Sequence, residues 1–97
     1  MKIAIYPGTF DPITFGHIDL ITKGLKVVNK IIVAISDVAN NKYLFSIDER
    51  KSLVKNALYK DLKINKNKVQ IITFNSLTTS LCKKHKVNLI LRVAQIK

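Results

Sequence analysis

Apolar residues follow two different rhythms along the chain. Ile3, Ala4 and Ile5 run without a break through Lys2–Tyr6 until Pro7-Gly8, the pattern of a short strand closed by a turn. From Phe15 to Val28 the spacing changes. Ile18, Ile21, Leu25 and Val28 recur every three or four positions, Leu20 and Val27 widen the stripe, and Thr14 occupies the N-cap position of the helix this predicts. Lys30–Ser36 holds Ile31, Ile32, Val33, Ala34 and Ile35 with no alternation, as expected of a strand covered on both faces. After the polar loop Asp37–Tyr43, Ser46-Ile47-Asp48-Glu49 forms a capping box, with serine at the N-cap and glutamate three residues on, opening a helix to about Tyr59. Lys60–Lys68 reads as a solvated connection, Val69–Phe74 as a third strand, Leu77–His85 as a third helix and Val87–Leu91 as a fourth strand. The order βαβαβαβ predicts an α/β fold: an open parallel sheet with helices on its faces and right-handed crossovers, in a single domain over 1–97.

Composition narrows the function classes. At 97 residues and 47% hydrophobic content the chain can bury one modest core. The net charge is +11, yet the positives are lysines spread over the whole length apart from Arg50 and Arg92, and there is no tryptophan. Specific nucleic-acid readers lean on arginine forks and aromatic platforms, so a nucleic-acid module is the weaker alternative and no such partner is expected. A diffuse positive field does suit phosphorylated metabolites. Cys82 is the sole cysteine, which points to a reducing compartment. Apolar runs are too short to span a membrane, and Pro7-Gly8 interrupts the first run too early for a signal peptide. The expectation is a cytoplasmic protein without a membrane partner. Cys82 shares an apolar stripe with Leu77 and Leu81, and His85 sits among Lys83, Lys84 and Lys86, so neither is expected to bind metal.

Chemistry concentrates in Tyr6-Pro7-Gly8-Thr9-Phe10-Asp11-Pro12-Ile13-Thr14-Phe15-Gly16-His17, between the first strand and the first helix. Gly8 and Gly16 permit close backbone approach, Pro7 and Pro12 stiffen the loop, and Thr9 and Thr14 offer hydroxyls. The helix start presents unpaired N–H groups to an anion, with His17 in its first turn. Ligands of open parallel sheets bind beyond the carboxyl ends of the strands, so this position reads as a phosphate site. Singly, each of these residues is ordinary loop chemistry. Together, Gly-Thr-Phe-Asp-Pro followed by Thr-x-Gly-His is a far more specific signal. Asp11 is expected to organise the loop through local backbone hydrogen bonds, and Asp48 and Glu49 to belong to a helix start.

Tyr6–His17 resembles the signature of nucleotidyltransferases, specifically of bacterial phosphopantetheine adenylyltransferases. The likeness continues through Ile18-Asp19 and Leu44-Phe45-Ser46-Ile47-Asp48-Glu49-Arg50 to Arg92. Related cytidylyltransferases usually carry His-x-Gly-His, and Thr14 in the first position favours the phosphopantetheine branch. The resemblance implies a Rossmann-like nucleotidyltransferase fold, here lacking its C-terminal part, and transfer of an adenylyl group from ATP to 4′-phosphopantetheine in coenzyme A biosynthesis. It implies His17 as the catalytic residue, contacts to ATP from Thr9, Phe10 and His17, and Mg²⁺ accompanying ATP. It implies acceptor contacts from Thr9, Thr78, Arg92 and a loop position falling on Asn41, with Lys42 one place later. The family is hexameric, which implies a homo-oligomer, although segments that help pack it are missing here. After the matching Arg92 the chain reads Val93-Ala94-Gln95-Ile96-Lys97, where the family continues Gly-Leu-Arg and later a serine-rich ATP loop. Two alternatives therefore stand beside the enzyme: an inactive remnant of it, and a related transferase with another phosphorylated acceptor.

Overall fold

The computed structural model describes residues 2–38, 42–75 and 89–90. Strand β1 (Ile3–Gly8) and strand β2 (Lys30–Ser36) pair in parallel with Ile5 opposite Ile32. Their unbroken apolar runs are split by the pleat into two faces. Ala4 and Tyr6 of β1 join Ile31, Val33 and Ile35 of β2 in the larger core cluster, while Ile5, Ile32 and Ala34 point to the other side. Strand β3 (Val69–Phe74) extends the sheet beyond β2, and β4 (Leu89–Ile90) pairs with β1 on its opposite edge. The strand order is β3-β2-β1-β4, all parallel. The expected α/β parallel sheet is what forms, and β4 lies within the stretch anticipated for it. The helix expected over 77–85 lies outside the described residues.

Helix α1 (Phe15–Gly24) and helix α2 (Ile47–Lys55) both pack on the larger cluster, through Ile21 and Val54. Both begin at side-chain caps, Thr14 and Ser46. Helix α1 stops four residues before the expected Val28. The Leu25 amide bonds back to Ile21 and Lys23, and the chain turns so that the Asn29 and Lys30 amides reach the Lys2 carbonyl. Glycine is a poor helix residue, and Gly24 is where the turn begins. Val28 still reaches the core, but Val27, expected to widen the buried stripe, faces solvent.

Helix α2 does not end cleanly either. Its last turn widens into π-helix over Asn56–Asp61, where the Leu62 amide bonds the Ala57 carbonyl. The wider turn seats Leu58 in the core, and Tyr59 donates its hydroxyl to the Val69 carbonyl at 2.6 Å, tying this turn to β3. Among the described residues no helix is long and apolar enough to cross a membrane.

Candidate functional site

The loop after β1 leaves the carboxyl end of the sheet where the strand order reverses, between β2 and β4. Three rings build its floor. Phe10 is fully buried and meets Tyr6 edge-on at 5.2 Å between centroids, and the His17 ring lies 4.7 Å from Phe10. Phe10 takes a left-handed backbone conformation (φ 47°), which turns its side chain under the loop. A Cβ on Gly8 would sit 3.0 Å from Cε2 of Phe10, so any side chain there would force the buried ring to give by a few tenths of an ångström. Gly16 differs: an added Cβ would meet only Thr14 Oγ1 at 3.6 Å, an ordinary contact. Packing among the described residues makes no demand for glycine at that position.

His17 is held by a capping box in which histidine replaces the usual glutamate or glutamine. The Thr14 backbone N–H donates to His17 Nδ1 at 2.9 Å, and the His17 N–H donates to Thr14 Oγ1 at 3.4 Å. A backbone N–H can only donate, so Nδ1 accepts and the neutral ring carries its hydrogen on Nε2. Burial pushes the His17 pKa down from its ordinary value of 6.5, which favours that neutral ring. The box also consumes the His17 amide, and Ile18 bonds the Thr14 carbonyl, which leaves the Phe15 and Gly16 amides without an acceptor among the described residues. The arrangement offers an anion two backbone donors and one neutral imidazole donor.

Asp11 acts over a longer range than expected. Its carboxylate accepts from the Leu44 and Phe45 amides, at 2.5 and 2.8 Å, and so staples the loop before α2 to the loop after β1. A second staple is Arg50, the one charged side chain buried among the described residues. Its Nη1 donates to the carbonyls of Thr9 (3.0 Å) and Ser36 (2.7 Å), its Nε to the Phe45 carbonyl (3.1 Å), and its Nη2 to Asp37 Oδ1 (3.3 Å). The Tyr43 ring lies 3.9 Å over the guanidinium, and the Tyr43 hydroxyl accepts from the Val38 amide. Sequence reasoning assigned Arg50 no role. The available signal was its place at helical spacing between Ile47 and Val54, a core position filled by arginine in a chain whose positive charges are nearly all lysines.

Of the residues singled out from sequence, Thr9 and Phe10 lie on this loop and His17 in the first turn of α1, with Thr9 exposed and Phe10 buried through its ring. Lys42 is exposed on the loop that Asp11 holds. Asn41, Thr78 and Arg92 lie outside the described residues. The strand leading to Arg92 does run beside β1, with Ile90 opposite Ile5. Among the described residues no three His, Cys, Asp or Glu side chains gather as a metal cage.

The sequence model of the cytidylyltransferase-like family matches residues 5–96. The chain belongs to the cytidylyltransferase-like family. Within it, the chain is 62% identical over 91 residues to a phosphopantetheine adenylyltransferase of Pelagibacter ubique, covering 94% of this chain and 56% of that protein. It is 46% identical to the enzyme of the same name from Buchnera aphidicola, over 94% of this chain and 53% of the relative. The chain thus spans about half the length of the curated relatives it matches. Among solved structures, the Plasmodium falciparum nicotinic acid mononucleotide adenylyltransferase complexed with NaAD superposes with TM-score 0.72 and 30% identity, over 88% of this chain and 45% of that one. A bifunctional NMN adenylyltransferase/ADP ribose pyrophosphatase from Francisella tularensis, complexed with AMP and manganese, gives 0.71 and 25%, over 90% and 29%. This cytidylyltransferase-like chain therefore shares the Rossmann-like nucleotidyltransferase fold.

Proposed function

We propose that the chain carries the adenylyl-transfer site of a phosphopantetheine adenylyltransferase, acting in the cytoplasm on the coenzyme A pathway. A phosphate oxygen of 4′-phosphopantetheine attacks the α-phosphorus of ATP, the bond to the β-phosphate bridge breaks, and dephospho-coenzyme A and pyrophosphate result. The observation that carries this reading is the Thr14–His17 capping box, which fixes a neutral Nε2–H donor beside free helix-start amides. Such chemistry needs positioning and charge stabilisation more than proton transfer. His17 donates to the transferred phosphoryl group, and Thr9 and the Thr9–Phe10 backbone orient the phosphates. Lys42 or Asn41, Thr78 and Arg92 serve the acceptor. Mg²⁺ enters with the triphosphate and shields its charge.

Solved relatives complexed with AMP or NaAD favour a second reading, the same transfer to another phosphorylated acceptor. Pyrophosphate release by the 97-residue chain with ATP, Mg²⁺ and competing acceptors separates the two. Release dependent on 4′-phosphopantetheine supports the first, and release only with a nucleotide acceptor supports the second. His17→Ala is expected to lower turnover by about 10²–10³, the cost of deleting one such donor. No release from a folded chain with any acceptor leaves the alternative of an inactive remnant.

A further inference from the structure

We infer that Arg50 is a positioning residue of the transfer site, setting Thr9 and the loop that carries Lys42 against His17; the inference rests on the adenylyl-transfer reading. The guanidinium is completely buried, so it acts through the groups it holds. Those groups come from three separate segments that end at the crevice: Thr9 after β1, Ser36 at the end of β2, and Phe45 before α2. Removing an arginine from water costs several kcal/mol unless its donors are used, and four N–H bonds and the Tyr43 ring face use them here.

Phe45 shows how tightly the arrangement is closed. Its carbonyl accepts from Arg50 while its amide donates to Asp11, so both main-chain groups are fixed by side chains of other segments. Lysine cannot copy this. Its ammonium is a point with three donors, whereas the planar fork reaches Thr9, Ser36 and Phe45 at once. Arg50 is the sole arginine among the described residues, whose other basic side chains of this kind are all lysines.

The test uses the full 97-residue chain, with Arg50→Lys, Thr9→Val and the double variant. Arg50→Lys is expected to melt cooperatively, to lower kcat about tenfold and to leave KM for ATP within about twofold, since misplacement of a transition-state contact weakens the chemical step. The double variant is expected to lose clearly less than the product of the two single losses, because part of the Arg50 effect passes through Thr9. Independent, multiplying losses overturn the inference. Amide exchange gives a readout separate from turnover: Leu44 and Phe45 are expected to exchange at least about tenfold faster in Arg50→Lys, with β1 and β2 unchanged. A wild-type chain with no turnover removes the transfer reading alone. Exchange then decides, and unchanged Leu44 and Phe45 amides overturn the positioning role. Should Arg50→Lys fail to fold, Asp37→Asn, which weakens only the half-exposed partner of Nη2, is expected to move the same amides in the same direction. No movement in that variant overturns it as well.

Discussion

The Thr14 amide donates to Nδ1 of His17 at 2.9 Å, and this one bond decides which nitrogen the ring offers to a ligand. Nitrogen NMR of the ring is expected to show the Nε2–H tautomer at neutral pH. Thr14→Ala keeps the backbone donor but loses the cap, and is expected to cost about 1 kcal/mol in a thermal or denaturant melt. Thr14→Ser retains the hydroxyl and is expected to stay close to wild type. A dominant Nδ1–H form would remove the assignment of His17 as an Nε2 donor.

Acid should act through the same residue. The folded-state pKa of His17 lies below its ordinary 6.5, so the unfolded chain binds more protons in the interval between the two values. The His17 contribution to stability is therefore fully present above pH 6.5 and is lost as pH falls through the folded pKa. Protonated Nδ1 can no longer accept from Thr14. Melts of wild type and His17→Gln across this range are expected to converge as the pH drops. Parallel curves would mean that His17 does not carry the linkage.

Gly8→Ala places a methyl 3.0 Å from Cε2 of Phe10, whose ring is boxed in by Tyr6 and His17. The expected penalty is about 1–3 kcal/mol, the usual cost of overpacking. Gly16→Ala meets only Thr14 Oγ1 at 3.6 Å and is expected to leave the melting temperature within a few degrees. Its effect should fall on anion binding, because the methyl projects beside the free amides. Titration with inorganic pyrophosphate, followed by amide shifts at the start of α1, checks this. Unchanged binding would show that the opening at Gly16 is not used.

Tyr6 carries a buried hydroxyl that has no hydrogen-bond partner among the described residues. Burial also pushes its pKa above the ordinary tyrosine value. Removing an unsatisfied polar atom without changing shape is close to neutral or favourable. Tyr6→Phe is therefore expected to match or exceed wild type in stability, by up to about 1–3 kcal/mol. A clear loss in the melt would mean that the hydroxyl is satisfied after all.

The strands were the most legible part of the sequence. The runs through Ile3–Ile5 and Ile31–Ile35 leave no helical reading that buries one face only, and the pleat divides them as expected. Ser46 and Thr14 announce their helices because a cap is a local device. The end of α1 was hidden because Val27 is apolar yet exposed, and what stops the helix is a backbone reunion with Lys2. The site divides in the same way. His17 and the glycines sit in one contiguous motif, whereas Asp11 and Arg50 act on main-chain atoms of distant segments. A carbonyl has no letter in the sequence, so the staple between Arg50 and Thr9 shows only once the chain is folded.

β1 is flanked on both sides, with Ala4 opposite Ile31 in one ladder and Leu89 in the other. It precedes the other three described strands in the sequence, yet both its ladders are filled only once β4 is in place. Its partner in β2 follows after a single helix, while β4 comes from the far end of the sequence, and pairings that distant form slowly. Until β4 arrives, one ladder of β1 stands open directly below the loop that bears Thr9 and His17. Maturation of the crevice is thereby coupled to the longest-range pairing among the described strands, so a nascent chain carries the motif well before β4 can close the ladder beneath it.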